Sequence, residues 1–205
     1  LLHTCCGRCT TYVLKRLREE GFQVTGFWYN PNIHPYSEHE QRREAMLTYA
    51  ERASLPMIVY DGYEMPLYLR EVVGQEIERC EICYRMRLKK AAQTAKEHSF
   101  PRFTTTLLVS IYQDRALIKR VGEEVAREKA IEFLYEDFSQ GWQEHYELSR
   151  EAGIYKQKYC GCLYSEWERY KKKESKEIFT QFRPLHKFEV IFSLPDRELR
   201  CQKED

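Results

Sequence analysis

With 205 residues, 42% of them apolar, the chain can bury one well-packed core but not two large ones. Its charges nearly cancel, 33 basic against 32 acidic for a net charge of +1. That argues against a polyanion-coating protein and leaves room for a local basic stripe on a nucleic acid. No run of about 18 apolar residues occurs and no secretory leader pattern is visible, so no membrane partner is expected.

In chain order, Leu1-Leu2-His3-Thr4 reads as the end of a buried strand, and the natural start is expected upstream. Between Thr10 and Glu20, Val13, Leu14 and Leu17 fall on one helical face, and Gly21 closes the helix. Phe22–Tyr29 mixes β-branched and aromatic residues as a strand does and runs into the turn Asn30-Pro31-Asn32-Ile33-His34-Pro35. Ser37, with Glu40 three residues on, has the capping-box spacing and opens a helix to about Ala53. Met57–Tyr60 is a short strand, and Tyr84–Lys96 is spaced as a helix by Met86, Leu88, Ala91, Ala92 and Ala95. Phe103–Val109 is strand-like, Asp114–Lys129 helical, and Ile131–Tyr135 a further strand. From Phe138 the pattern turns helical, with Leu163–Lys173 a helix ending in a basic run and Phe188–Leu194 a weaker strand signal.

Strands recurring with helices between them imply right-handed crossovers and an α/β fold with a doubly wound, mostly parallel sheet. No repeat or linker divides the chain. We therefore expect one α/β domain over 1–205, with a sheet-forming part at 1–137 and a helical C-terminal part at 138–205.

Eight cysteines, at 5, 6, 9, 80, 83, 160, 162 and 201, carry the chemistry. Adjacent Cys5 and Cys6 cannot bridge each other without strain, and the clustered spacings suit metal or redox use in a reducing cytosol better than a disulfide framework. Cys5 and Cys6 fall where the first strand gives way to its helix, where ligands of such sheets bind and helix amides stabilise thiolates. Cys80-Glu81-Ile82-Cys83 opens a helix; a CxxC serves zinc, an iron–sulfur cluster or a redox dithiol. Four thiolates from Cys5, Cys6, Cys80 and Cys83 would complete a [4Fe–4S] set, and the same four sulfurs suit zinc. In Cys160-Gly161-Cys162 a disulfide would close a small strained ring, labile and suited to electron exchange; the alternative is two more metal ligands. Cys9 is open to three uses: a spare cluster ligand, a ligand to a second metal, or a core residue of the first helix. Cys201 reads as a plain thiol. No phosphate loop of the Ser-Gly-Gly-x-Asp-Ser type, no Walker loop and no GxGxxG is present, which weakens ATP-driven and nicotinamide-binding readings.

With these clusters in place, the chain resembles the QueH-type epoxyqueuosine reductases over nearly everything up to about Ser165. The resemblance rests on Cys5-Cys6-x-x-Cys9, Tyr29-Asn30-Pro31-Asn32-Ile33-His34-Pro35 and Arg79-Cys80-x-x-Cys83-Tyr84. It continues in Thr106-Leu107-Leu108-x-Ser110-x-Tyr112 and in Tyr155-x-Gln157-x-Tyr159-Cys160-Gly161-Cys162-x-Tyr164-Ser165. It implies an adenine-nucleotide-alpha-hydrolase-like (HUP-type) fold with its nucleotide site repurposed. It also implies a cytoplasmic, cobalamin-independent oxidoreductase that removes the epoxide oxygen of epoxyqueuosine at the tRNA wobble position, leaving a cyclopentenediol. Carried over residue by residue, Cys5, Cys6, Cys80 and Cys83 look like cluster ligands, and Cys160 and Cys162 like a redox-active disulfide fed by an unidentified electron donor. Gly7-Arg8 departs from the Ala-Pro of many relatives.

Other candidates come from position. The loop Asn30–His34 follows a strand's carboxyl end and is a candidate pocket lining, with Asn30 and His34 named in it; His34 reads as a proton donor or equally as a satisfied structural histidine. Tyr112 and Asp114, at a further strand end, join them. For tRNA phosphates, Arg169-Tyr170-Lys171-Lys172-Lys173 sets charge beside aromatic faces, and Arg42-Arg43 and Arg85/Arg87/Lys89/Lys90 raise the same question. Two further classes fit the cysteines: a zinc-stabilised nucleic-acid-binding module, and a general thiol–disulfide oxidoreductase using Cys160 and Cys162.

Overall fold

A short, fully buried strand lies at the centre of the molecule. The computed structural model describes residues 1–171, of which Leu1–Tyr170 form one compact unit. Strand β1 (Leu2–His3) pairs in parallel with β2 (Gly26–Trp28) on one side and with β4 (Arg102–Thr105) on the other. Beyond them lie β3 (Met57–Val59) and β5 (Glu132–Phe133), giving a five-stranded, all-parallel sheet of order β3-β2-β1-β4-β5. The chain winds outward from β1 to β3 and then returns to start the other half at β4. The winding direction therefore reverses between β1 and β4, where open α/β sheets hold their ligands.

Helices α1 (Gly7–Glu19), α2 (Tyr36–Arg52), α3 (Met65–Val72), α4 (Arg79–Glu97), α5 (Arg115–Lys129), α6 (Trp142–Glu151) and α7 (Leu163–Tyr170) complete the described fold. α1 packs against α2 and α6, and α4 against α5. Successive strand residues serve different layers, as period-2 geometry requires. Phe27 joins the cluster holding Leu88, Ala91 and Ile118, while Trp28 joins Leu14, Met46 and Ala50.

Several boundaries differ from expectation. The strand expected over Phe22–Tyr29 pairs only at Gly26–Trp28, because β1, two residues long, offers few ladder partners; Phe22 and Val24 pack on the core without pairing. Phe103–Val109 is a strand only to Thr105. The Thr105 hydroxyl accepts from the Leu107 amide at 3.2 Å and turns Thr106–Val109 into a 3₁₀ turn, a local bond that competes with the ladder. The capping box is not formed: α2 starts at Tyr36 after Pro35, and Glu40 pairs with Arg43 at 2.7 Å instead. Eight-residue α3 is too short for a periodic signal. α7 is described to Tyr170; Lys172, Lys173, Phe188–Leu194 and Cys201 lie outside the described residues.

A cysteine-lined candidate active site

At the β1–β4 reversal the chain leaves β1 through Thr4 and Cys5 and enters α1 at Gly7. The Cys5 amide donates to Thr106 Oγ1 at 2.9 Å, and Thr106 Oγ1 sits 3.2 Å from Cys5 Sγ, so the turn after β4 holds the turn after β1. Cys6 caps α1: its sulfur accepts from the Cys9 amide at 3.4 Å and from Gln157 Nε2 at 2.9 Å. The sulfurs of Cys5, Cys6 and Cys9 all lie within 4.8 Å of one another. Hydrogen bonds from Cys5 and Cys9, with the Cys9 amide, hold the Cys6 thiol well below its ordinary range. The same bonding to Cys6 pushes Cys5 up to about 12, and bonding to Cys5 and Cys6 raises Cys9. One negative charge in the trio therefore falls on Cys6, at a helix N-terminus that favours it.

α4 supplies a second wall. Cys80 and Cys83 stand in its first turns, and Arg87, one turn beyond Cys83, places Nη1 3.7 Å from the Cys83 sulfur. Arg87 is buried, and Nη2 is fixed by Asn30 Oδ1 at 2.8 Å, whose own amide donates to Thr4 O at 2.9 Å. Burial works against the Arg87 charge, but the Cys83 and Cys5 sulfurs hold it protonated. Burial pushes Cys83 up to about 11, opposed by Arg87, and also raises Cys80.

Cys160-Gly161-Cys162 forms the third wall. Gly161 adopts φ +133°, and a Cβ there would meet Ile33 Cγ1 at 3.0 Å and Asn32 Nδ2 at 3.1 Å, so only glycine fits. Arg42 of α2, buried and paired with Glu38 at 2.7 Å, donates to Cys160 O at 3.0 Å and Tyr159 O at 3.1 Å. The His34 amide donates to Gly161 O at 2.8 Å. Cys160 Sγ lies 3.9 Å from Cys162 Sγ and 3.0 Å from Ser165 Oγ, and the Ser165 amide donates to Cys162 Sγ at 3.4 Å. The hydrogen bond from Cys160 lowers Cys162 to about 5, against its burial, while Cys160 is raised well above the ordinary range by the same bond.

All seven described cysteines are free thiols, and six of them, Cys5, Cys9, Cys80, Cys83, Cys160 and Cys162, line one cavity of about 80 Å³. Cys6 touches it through Cys5 and Gln157. Seven soft donors around one cleft, three within 4.8 Å, suit a thiophilic metal or cluster.

The other sequence candidates divide. Asn30 sits behind the cavity, orienting Arg87. His34 is 2% exposed, bonds Tyr63 Oη at 3.0 Å through Nδ1, and is lowered to about 4 by burial and by nearby His39. It is therefore neutral at pH 7, and its backbone amide holds the CxC turn through Gly161 O. Tyr112, 78% exposed, packs edge-on against Trp142 outside the lining residues. Asp114 caps α5, accepting from the Leu117 amide at 2.9 Å. Arg169 is exposed on α7, and Lys171 follows its end.

Arg42 is buried and Arg43 pairs with Glu40. Arg85 and Lys89 pair with Glu124 and Glu128, and Lys90 sits over the Tyr60 ring at 4.4 Å. Asn32 lines the cavity, as expected of the Asn30–His34 loop; Arg79, Arg87 and Gln157 line it too, a role that sequence reasoning misses. Arg87 is within its reach, since Cys83 and Arg87 share a helix face at i, i+4.

Fold and site together define a class: a parallel α/β protein whose winding reversal carries a cysteine-lined cavity. Comparison makes this specific. The family described as epoxyqueuosine reductase QueH matches residues 1–168. The chain is 37% identical over 175 residues to the epoxyqueuosine reductase QueH of Dehalococcoides mccartyi, covering 85% of this chain and 96% of that one. It is 35% identical over 181 residues to that of Thermotoga maritima (84% and 92%) and 36% identical over 174 residues to that of Haemophilus influenzae (80% and 70%). The chain belongs to the QueH family.

Proposed function

We propose that this chain is a tRNA-modifying reductase that converts epoxyqueuosine to queuosine at the wobble position, with a [4Fe–4S] cluster and the Cys160–Cys162 dithiol. The observation that carries this is the convergence of three separate cysteine groups on one cavity at the β1–β4 reversal, in a chain of this family. Cys5, Cys6, Cys80 and Cys83 would hold the cluster, with Cys9 beside them as a ligand to a second metal ion. When bound, the cluster supplies single-electron transfer and Lewis acidity toward the epoxide oxygen. The all-parallel order β3-β2-β1-β4-β5, with the cysteine turn at its reversal, supports a HUP-type fold for the sheet.

Deoxygenation of an epoxide to an alkene consumes two electrons and two protons and releases the oxygen as water. The Cys162 thiolate and Cys160 thiol give up two electrons and one proton as their disulfide forms, and solvent supplies the second proton. An external electron donor then returns the disulfide to the dithiol. Gln157 and the α1 amides hold Cys6 as thiolate, Arg87 balances charge between the walls, and Arg42 keeps the CxC turn facing the cavity. The tRNA would approach the open side, where Lys156 and Lys158 are exposed on the segment leading to Cys160; Arg169 and Lys171–Lys173 are the further candidate contacts.

The test is anaerobic reconstitution with iron and sulfide, followed by mass spectrometry of epoxyqueuosine-bearing tRNA. The proposal predicts loss of one oxygen, dependent on iron and a reductant. An unchanged nucleoside mass with a fully loaded, reduced protein would overturn it. The double variant Cys160→Ser/Cys162→Ser is expected to keep the brown cluster and lose multiple turnover.

A further inference from the structure

We infer that Asn32 reads the hydroxylated ring of the substrate, an assignment that rests on the reductase reading above. Asn32 is 1% exposed and lines the cysteine cavity, yet its Oδ1 has no hydrogen-bond partner among the described residues. Buried polar atoms are rarely left unmatched, and each exception calls for a cause. Three more unmatched atoms belong to the same lining: Gln157 Oε1, Arg79 Nε and Arg87 Nε.

The set contains two acceptors and two donors. An anion would satisfy only the arginines and a cation only the carboxamides. A polyol satisfies both, because each hydroxyl donates once and accepts besides. The ring of epoxyqueuosine, with its epoxide oxygen and two hydroxyls, has that character. The Gln157 Oε1 direction is set from its other end, since Nε2 is bound to Cys6 Sγ at 2.9 Å. Asn32 is held beside the CxC turn, its Nδ2 3.1 Å from the place a Gly161 Cβ would occupy. A ring bonded to Asn32 therefore shares the cavity that Cys160 and Cys162 line, the proposed source of its electrons. Either end of the Asn32 carboxamide serves, because a hydroxyl pairs with both.

The experiment measures binding without turnover, using anticodon stem-loops that carry queuosine, the diol product, or plain guanosine at the wobble position. The reconstituted wild type is expected to bind the queuosine stem-loop about tenfold more tightly, equivalent to about 1.4 kcal/mol. Asn32→Ala and the near-isosteric Asn32→Leu are each expected to bring that ratio close to one while leaving affinity for the guanosine stem-loop unchanged. Wild type should also lose the advantage when the diol is capped as its isopropylidene ketal. A tenfold preference that survives in either variant, no preference in wild type, or ketal binding equal to diol binding would overturn the assignment. If wild type instead shows the ring preference but never deoxygenates epoxyqueuosine-bearing tRNA, the reductase reading fails and the ring-binding role stands.

Discussion

The division of labour within the CxC pair is open to direct titration. With a pKa of about 5, Cys162 is roughly nine-tenths thiolate at pH 6, whereas a thiol at the free value of about 8.5 would be roughly 0.3% ionised there. The largest cause of the depression is the hydrogen bond from Cys160, so Cys160→Ala should return Cys162 toward the free value. Thiolate fraction at pH 6 then falls on the order of 300-fold. The more basic thiolate is intrinsically faster, by roughly 30-fold for a Brønsted slope near 0.45. The net decrease in alkylation rate at pH 6 is thus about tenfold, and above about pH 7 the variant overtakes the wild type. Iodoacetamide rates, resolved by peptide mass spectrometry on the reconstituted protein, give both curves. Wild-type Cys162 should show a midpoint near pH 5, and Cys160 should react only in alkali. A wild-type Cys162 midpoint above pH 8, or superimposable curves, would refute the reasoning.

Acid stability should follow from His34. Its folded-state value near 4 lies below the unfolded value, so below about pH 6.5 the unfolded chain takes up the proton first. Its contribution is complete above pH 6.5 and is lost as pH falls through 4; thermal melts between pH 7 and 4 should steepen in wild type relative to His34→Gln. Arg42→Ala should cost about 3–5 kcal/mol in urea unfolding, because it strands Glu38 and two backbone carbonyls in a buried place; a cost under 1 kcal/mol would contradict this. Gly161→Ala should cost about 1–3 kcal/mol and slow turnover, since φ +133° and neighbours near 3 Å leave no space for the methyl group. Lys156→Ala/Lys158→Ala should raise KM for tRNA and reduce the salt slope by about one for each phosphate no longer neutralised, with no change in cluster absorbance; an unchanged slope would place the tRNA elsewhere.

The alternation of strands and helices, and hence a parallel α/β sheet, was legible because the longer helices carry their own apolar periodicity, as Val13, Leu14 and Leu17 do in α1. Strand lengths were not, because they depend on partners: Phe22–Tyr29 looks extended throughout, but two-residue β1 pairs with little of it. The cysteine groups stood out by spacing alone. Their convergence required the strand order, since only the β1–β4 adjacency brings Thr106 onto Cys5. Charged residues misled in the opposite direction. Arg42 and Arg87 read as surface cations, yet each is buried by partners far away in sequence, the Tyr159 and Cys160 carbonyls for one and Asn30 for the other. Asn32 was legible only as part of the Asn30–His34 loop, because an unmatched buried atom becomes visible only when every neighbour is in place.

The central claim is that sulfurs from the β1–α1 turn and from α4 serve one shared inorganic centre. Iron and acid-labile sulfide counts with Mössbauer spectra, taken on anaerobically reconstituted Cys5→Ser/Cys6→Ser and Cys80→Ser/Cys83→Ser, test it most directly. The account predicts that either double variant alone loses the four-iron signal entirely. A variant of one pair that retains the full wild-type iron, sulfide and spectrum would contradict it.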